Sequence, residues 1–125
     1  MPFPFKDCSS LLLFSSDAGG GPGANFLYHA GAEVDSSVLL WTKAGKTLLT
    51  PKMNERQARA LFRGRVVPLG PGQMVPVLKR LLPRGKIGLD LESLSASRHL
   101  RLAKALGGQK RLVDVSGKLE VMRSV

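Results

Sequence analysis

A chain of 125 residues with 43% hydrophobic residues is sized for one domain around one core, and too short for two ordinary domains. Its one cysteine, Cys8, excludes an internal disulfide, and no Cys/His pair recurs at zinc-ligand spacing. Neither kind of staple is available, and a free buried thiol in a reducing compartment is expected. The formal charge of +10 is unevenly spread: Lys6, Lys43 and Lys46 face Asp7, Asp17, Glu33 and Asp35 in the first 50 residues, so the excess of cations lies beyond them.

No apolar run approaches the roughly 20 residues that a membrane-spanning helix requires; Leu11 to Phe14 is strand-sized. The start, Met1-Pro2-Phe3-Pro4-Phe5, lacks the basic and long apolar regions of a secretory signal, so a cytoplasmic protein without a membrane partner is expected.

Ser9 to Ser15 reads as a buried strand, and Ser16 to Ala24, rich in glycine, as a flexible loop. A compact segment, Asn25 to Gly31, follows. Val38 to Thr42 and Thr47 to Thr50 flank Lys43-Ala44-Gly45-Lys46, a connection suited to a hairpin. Pro51 stops the second strand, and Asn54 is placed to cap a helix over Glu55 to Phe62 with Ala58, Leu61 and Phe62 on one face.

Beyond Gly64 the pattern alternates. Strand Arg65–Leu69 is followed by helix Gln73–Leu82, strand Lys86–Leu91, helix Ser95–Leu106, strand Lys110–Val115 and helix Gly117–Met122. Alternation implies parallel strands joined by helical crossovers, so the fold class is α/β, a mixed sheet in which an antiparallel meander leads into βαβ units. Pro76 falls in a first helical turn, where its missing N–H costs little. In the helix from Ser95, the residues Ala96, Leu100, Ala103 and Leu106 are expected to pack, with Arg98, Arg101 and Lys104 facing water.

Motifs for catalysis fail on context. Gly19 to Ala24 formally satisfies the dinucleotide fingerprint G-x-G-x-x-A, but Pro22 and Gly23 interrupt the required helix, and Glu33 and Asp35 come too early for a ribose contact. Gly45-Lys46-Thr47 imitates the end of a phosphate loop inside a hairpin, without the earlier glycine. Ser93, Ser95 and Ser97 are explained by helix capping. His29 and His99 lie far apart with no carboxylate-rich segment near them, so no metal centre and no cofactor is expected in this chain. His99 fits a helix-face boundary. His29 belongs to Tyr28–Asp35, expected to be a loop carrying more ionisable groups than packing demands.

Lys79, Arg80, Arg84, Lys86, Arg98, Arg101, Lys104, Lys110 and Arg111 could form a basic surface attractive to polyanions. An independent nucleic-acid-binding module is the alternative function. Aromatic residues make up only 6% of the chain and no recognisable nucleic-acid module accompanies the charge, which makes a solvated or partner-facing surface the better reading.

Three segments in order, Asn25-Phe26-Leu27-Tyr28-His29-Ala30-Gly31, Lys86-Ile87-Gly88-Leu89-Asp90, and Leu112 to Ser116 with Leu119 to Val125 behind it, resemble the amino-terminal domain of the Xaa-Pro dipeptidase (prolidase), aminopeptidase P and creatinase family. The resemblance spans nearly the whole chain and implies a ribonuclease H-like mixed sheet forming a single domain over residues 1–125. It also implies that peptidase chemistry on proline-containing peptides resides in a separate pita-bread domain. There two divalent metals are held by two Asp, one His and two Glu, none of which maps onto this chain. An expressed fragment or truncated product, inactive alone, is therefore expected.

In such proteins the domain supports a homodimer and helps cover the partner subunit's active site. By resemblance, the gating residues are His29, Glu33 and Asp35. His29-Ala30 stands where the family usually has Leu-Thr. The family's helix before the first strand also has no counterpart, so an uncovered apolar face is expected at Leu11 to Phe14.

Overall fold

The β-branched and leucine-rich runs become strands because each can be covered on both sides. In the computed structural model, which describes residues 2–16 and 18–124, β1 (Ser10–Phe14), β2 (Val38–Thr42), β3 (Gly45–Pro51), β4 (Arg65–Leu69), β5 (Ile87–Leu89) and β6 (Leu112–Asp114) form one sheet in the order β4-β3-β2-β1-β5-β6. Met1, Asp17 and Val125 lie outside the described residues, and parts of the readings made for the amino terminus, the glycine-rich loop and the carboxyl terminus fall on them.

β2 pairs antiparallel with both β1 and β3, whereas β3–β4, β1–β5 and β5–β6 are parallel. β2 thus runs against the other five strands. The expected meander is β1-β2-β3, and the expected βαβ units follow it. Helix α2 (Glu55–Leu61) carries the chain outward from β3 to β4; α3 (Met74–Leu81) brings it back across to β5, and α4 (Ala96–Leu106) onward to β6. These moves go in opposite directions on opposite faces, so all the crossovers share one hand, as strand twist requires.

Side-chain alternation divides the core into two layers. Leu11, Leu13, Leu39, Trp41 and Leu48 face α1 (Ala24–Ala30), α2 and α5 (Ser116–Arg123), meeting Phe26, Ala58 and Leu119. Leu12, Leu40, Leu49, Ile87 and Leu89 face α3 and α4, meeting Leu78, Leu102 and Leu106. Cys8 is a free, buried thiol whose pKa burial pushes up.

Several local expectations are corrected. The apolar run at Leu11 to Phe14 is not left bare: Leu11, Leu12 and Leu13 are buried, and Phe3 and Phe5 from the amino-terminal arm stand edge-on to Trp41 at 5.8 and 6.3 Å. This arm covers the sheet where a helix was expected to be missing. Asn54 does not cap α2 with its side chain; its Nδ2 donates to the Asp35 carbonyl at 2.9 Å. In α4, Leu100 is 56% exposed and Leu102 takes its place in the buried stripe with Ala103 and Leu106. Ala96 is exposed as well. Leu61 at the end of α2 is also half exposed. Ser95 does cap α4, accepting from the Arg98 N–H at 3.2 Å.

The glycine-rich segment turns back on itself. Ser16 bridges Pro22, and the Gly23 N–H donates to the Ser15 carbonyl at 2.9 Å, leading directly into α1. A Cβ at Gly23 would stand 2.5 Å from the Phe14 carbonyl oxygen, so only glycine allows this approach. Helix α1 ends where Gly31 adopts φ 69° and donates to the Leu27 carbonyl, the left-handed termination that glycine favours. Tyr28 and His29 therefore belong to a helix, and the loop begins only at Gly31.

Candidate functional site

Beyond the carboxyl ends of β1 and β5 the chain departs in opposite directions, from β1 through α1 to β2 and from β5 through α4 to β6. Such a switch point leaves a crevice that open α/β sheets use for ligands. Its base is a buried polar network around Asp90, which directly follows β5 and is 7% exposed. Asp90 Oδ2 accepts from Asn25 Nδ2 at 2.5 Å and from the Ser93 hydroxyl at 2.7 Å; Oδ1 accepts from the Ser116 hydroxyl at 2.8 Å. The start of α1, the end of β5 and the start of α5 are tied through one carboxylate.

Ser116 Oγ also lies 2.6 Å from Asp114 Oδ1. A hydroxyl has one proton, so it serves one of the two carboxylates at a time. Burial pushes the Asp114 pKa up, but hydrogen bonds from the Ser116 hydroxyl, the Ser116 N–H and the Leu91 N–H together hold it below the usual carboxylate value. Asp114 is itself exposed, whereas Asp90 is the buried carboxylate, tolerated there because three donors meet it.

Beside the network, at the carboxyl end of β1 and the start of β2, lies a cleft of about 810 Å³ whose lining includes none of these hydrogen-bonded residues. Phe14, Phe26 and Val38 contribute apolar lining, Glu33 and Asp35 come from the loop before β2, and Arg98 and Arg101 come from α4. The loop is fastened at several points. Ser37 N–H donates to Ser15 Oγ at 2.9 Å, Ser15 N–H to the Ser37 carbonyl at 3.0 Å, and the Ser37 hydroxyl to Thr50 Oγ1 at 2.8 Å. Ser36 is held at φ 57°, a conformation that costs a non-glycine residue about 1 kcal/mol or more. The backbone is pinned while the carboxylates of Glu33 and Asp35 stand exposed, with no hydrogen bond or ion pair among the described residues.

His29 is not with them. Its carbonyl accepts from Lys46 Nζ at 2.8 Å, at the start of β3, whereas the Asp35 carbonyl is bound by Asn54, just past the end of β3. The two anchor points are separated by the length of that strand. The His29 ring is 5% exposed, lies 5.2 Å from the Trp41 ring and 4.8 Å from that of Tyr28, and its Nε2 has no hydrogen-bond partner among the described residues. Burial, with Lys46 and Arg123 nearby, lowers its pKa to about 4. A neutral, enclosed imidazole cannot act as a surface gate, so of the three gating candidates only Glu33 and Asp35 share the cleft.

The basic residues are also dispersed. Arg111 donates to the carbonyls of Gly85, Leu106 and Pro83 and so serves the fold. Arg98, expected to face water, lies 4.8 Å over the Phe14 ring. Its place in the cleft, and the convergence of Asn25, Asp90 and Ser116, were not read from sequence; the only signal was that these three each fall in one of the three segments carrying the family resemblance.

A family model described as the creatinase/prolidase N-terminal domain matches residues 6–125. The chain belongs to this family. Among solved structures, the creatinase/prolidase domain described here is similar to an X-Pro aminopeptidase from Thermotoga maritima, with TM-score 0.82, 22% identity, and coverage of 94% of this chain and 34% of that one. It is similar to the creatinase/prolidase N-terminal domain of an X-Pro dipeptidase from Streptococcus pyogenes, with TM-score 0.68 and 15% identity over 94% of this chain and 89% of that one. It is also similar to an X-prolyl aminopeptidase from Caenorhabditis elegans, described as a cytosolic enzyme with a di-nuclear active site, with TM-score 0.67 and 21% identity over 91% of this chain and 21% of that one. No curated protein sequence matches. The chain thus spans about a third of the Thermotoga enzyme's length, and at these identities the likeness establishes the creatinase/prolidase fold.

Among the described residues, no three His, Cys, Asp or Glu side chains are grouped to hold a metal ion, and no helix is long and apolar enough to cross a membrane.

Proposed function

We propose that this chain is the non-catalytic amino-terminal domain of an Xaa-Pro-specific metallopeptidase, one that supports a cytoplasmic homodimer and helps cover the partner subunit's active site. Residues 1–125 form this single domain, while two divalent metals and the chemistry on proline-containing peptides belong to a separate catalytic domain. The observation that carries the reading is the family match over residues 6–125. The pinned loop supports it, because it presents the carboxylates of Glu33 and Asp35 unpaired among the described residues.

Chemically, two exposed carboxylates on a fixed backbone attract the ammonium end of a peptide and raise its local concentration, and a loop laid over a metal site excludes bulk water from it. The side chain of His29 has no direct part in this. It packs the end of α1 against Trp41, and its carbonyl anchors Lys46, which fixes where the loop begins.

In the whole protein, Glu33→Gln with Asp35→Asn is expected to raise KM for an Xaa-Pro dipeptide by about tenfold while leaving the melting temperature unchanged. Steady-state kinetics checks this. An unchanged KM would remove the gating role, and hydrolysis by the 125-residue chain alone would contradict its non-catalytic assignment.

A further inference from the structure

The cleft beside the carboxyl end of β1 has walls of opposite sign. Glu33 and Asp35 stand on one side and Arg98 and Arg101 on the other, yet none forms an ion pair among the described residues, where the only such pairs are Arg59–Glu55 and Lys118–Asp7. Neither guanidinium makes a hydrogen bond among the described residues. Arg98 is nevertheless held in place, its guanidinium 4.8 Å from the centre of the Phe14 ring. A guanidinium attracted to a ring in this way keeps N–H donors that can still bind a planar anion.

The cleft also opens into an apolar hollow of about 540 Å³, with which it shares Ser36, Met74 and Val75. Pro51, Met53, Leu69 and Pro71 complete that hollow, and Met53 is 88% exposed. Methionines make an adaptable apolar surface, suited to side chains of varied shape.

We propose that this cleft is a binding site for short peptides with free termini, Arg98 and Arg101 receiving the carboxylate, Glu33 and Asp35 the ammonium group, and the hollow an apolar side chain. Charge decides the ligand class. A phosphate or nucleic acid would meet two uncompensated carboxylates, and a polyamine two guanidinium groups; a dipolar molecule satisfies both walls at once. The cleft volume lies in the range of roughly 300 to 1,000 Å³ usual for small-ligand sites. The proposal rests on the gating reading above, since Glu33 and Asp35 again receive the ammonium group; what it adds is the pair of arginines and the hollow, which supply partners for the rest of the peptide.

The test is a titration of the isotope-labelled 125-residue chain with the tripeptide Ala-Leu-Ala, followed by amide chemical shifts. Saturable shifts are expected at residues 33–37 and 98–102, with a dissociation constant on the order of 1 mM. N-acetyl-Ala-Leu-Ala-amide, which lacks both charges, is expected to bind about tenfold more weakly. Arg101→Gln and the double variant Glu33→Gln/Asp35→Asn change exposed side chains and should melt like the parent, while each weakens binding of the free tripeptide several-fold. Shifts that do not saturate by about 20 mM, equal binding of the blocked peptide, or shifts confined to the α2 and α5 face would each overturn the proposal. Failure here leaves the KM effect of the loop in the whole protein untouched, so the two are separable.

Discussion

Trp41→Ala is expected to destabilise the domain by about 4 kcal/mol, measured by urea denaturation followed by circular dichroism, since the substitution removes the chain's one tryptophan. Trp41 is 1% exposed and lies in β2, which has β1 on one side and β3 on the other. It meets several separate parts of the chain at once: Phe3 and Phe5 of the amino-terminal arm, His29 at the end of α1, and Lys46, whose ammonium sits 4.4 Å from the ring centre. Truncation to alanine removes the largest fully buried side chain and leaves a cavity on the side of the sheet that no hydrogen-bonded layer can close.

The effect has a local signature. Without the indole, the Phe3–Phe5 arm loses the surface it packs on, so cleavage by a protease near Lys6 should accelerate more than global unfolding explains. Trp41→Phe keeps the aromatic edge contacts and should recover more than half of the lost stability. A loss below about 1 kcal/mol for Trp41→Ala would show that the arm and α1 are held by other means.

Stability should also fall as the pH is lowered from 6.5 toward 4, with His29 responsible. Its ordinary pKa of 6.5 applies to the unfolded chain, while in the folded domain burial, aided by Lys46 and Arg123, lowers it to about 4. Above pH 6.5 the imidazole is neutral in both states and the domain keeps its full stability. Between the two values the unfolded chain takes up a proton that the folded chain refuses, so unfolding is favoured as pH drops; below the folded value no further loss arises from this group. The total is about 3 kcal/mol.

Asp7 and Asp114 have pKa values lowered from 3.8, so their contributions are lost only at lower pH and leave the upper window to His29. His29→Phe should flatten the dependence between pH 6.5 and 4. Denaturation midpoints at several pH values check this, and an equally steep decline in the variant would assign it elsewhere.

The strands were legible because their residues alternate or cluster over three to seven positions and are bounded by turn chemistry. Long-range arrangement was less accessible. The loop character assigned to Tyr28 and His29 failed because α1 has only seven residues, too few for periodicity to declare itself, and its stability comes from Phe26 and Ala30 packing on the sheet. Whether Leu100 or Leu102 enters the core depends on how α4 is rotated against β5, and both leucines satisfy a helical spacing.

The same distinction applies to the cleft. Glu33 and Asp35 were singled out by resemblance and do share one wall, but His29 could be separated from them only by knowing that Lys46 holds one end of the segment and Asn54 the other. The three segments bearing the resemblance meet at Asp90 through Asn25 and Ser116. Their shared physical content is therefore a buried network that fixes α1 and α5 to the sheet, a role that sequence spacing does not display.

The reading of this domain as a cover for a partner's active site is tested most directly by mixing subunits of the whole protein. One subunit would carry Glu33→Gln/Asp35→Asn with an intact catalytic half; the other would keep Glu33 and Asp35 but have a metal-binding carboxylate of its catalytic half replaced. If the loop acts across the dimer, the mixed dimer pairs an intact loop with an intact metal site, and its KM for an Xaa-Pro dipeptide returns to that of the unmodified protein. A mixed dimer whose KM stays raised, like that of the loop variant alone, would place the loop over its own subunit's site and contradict the account.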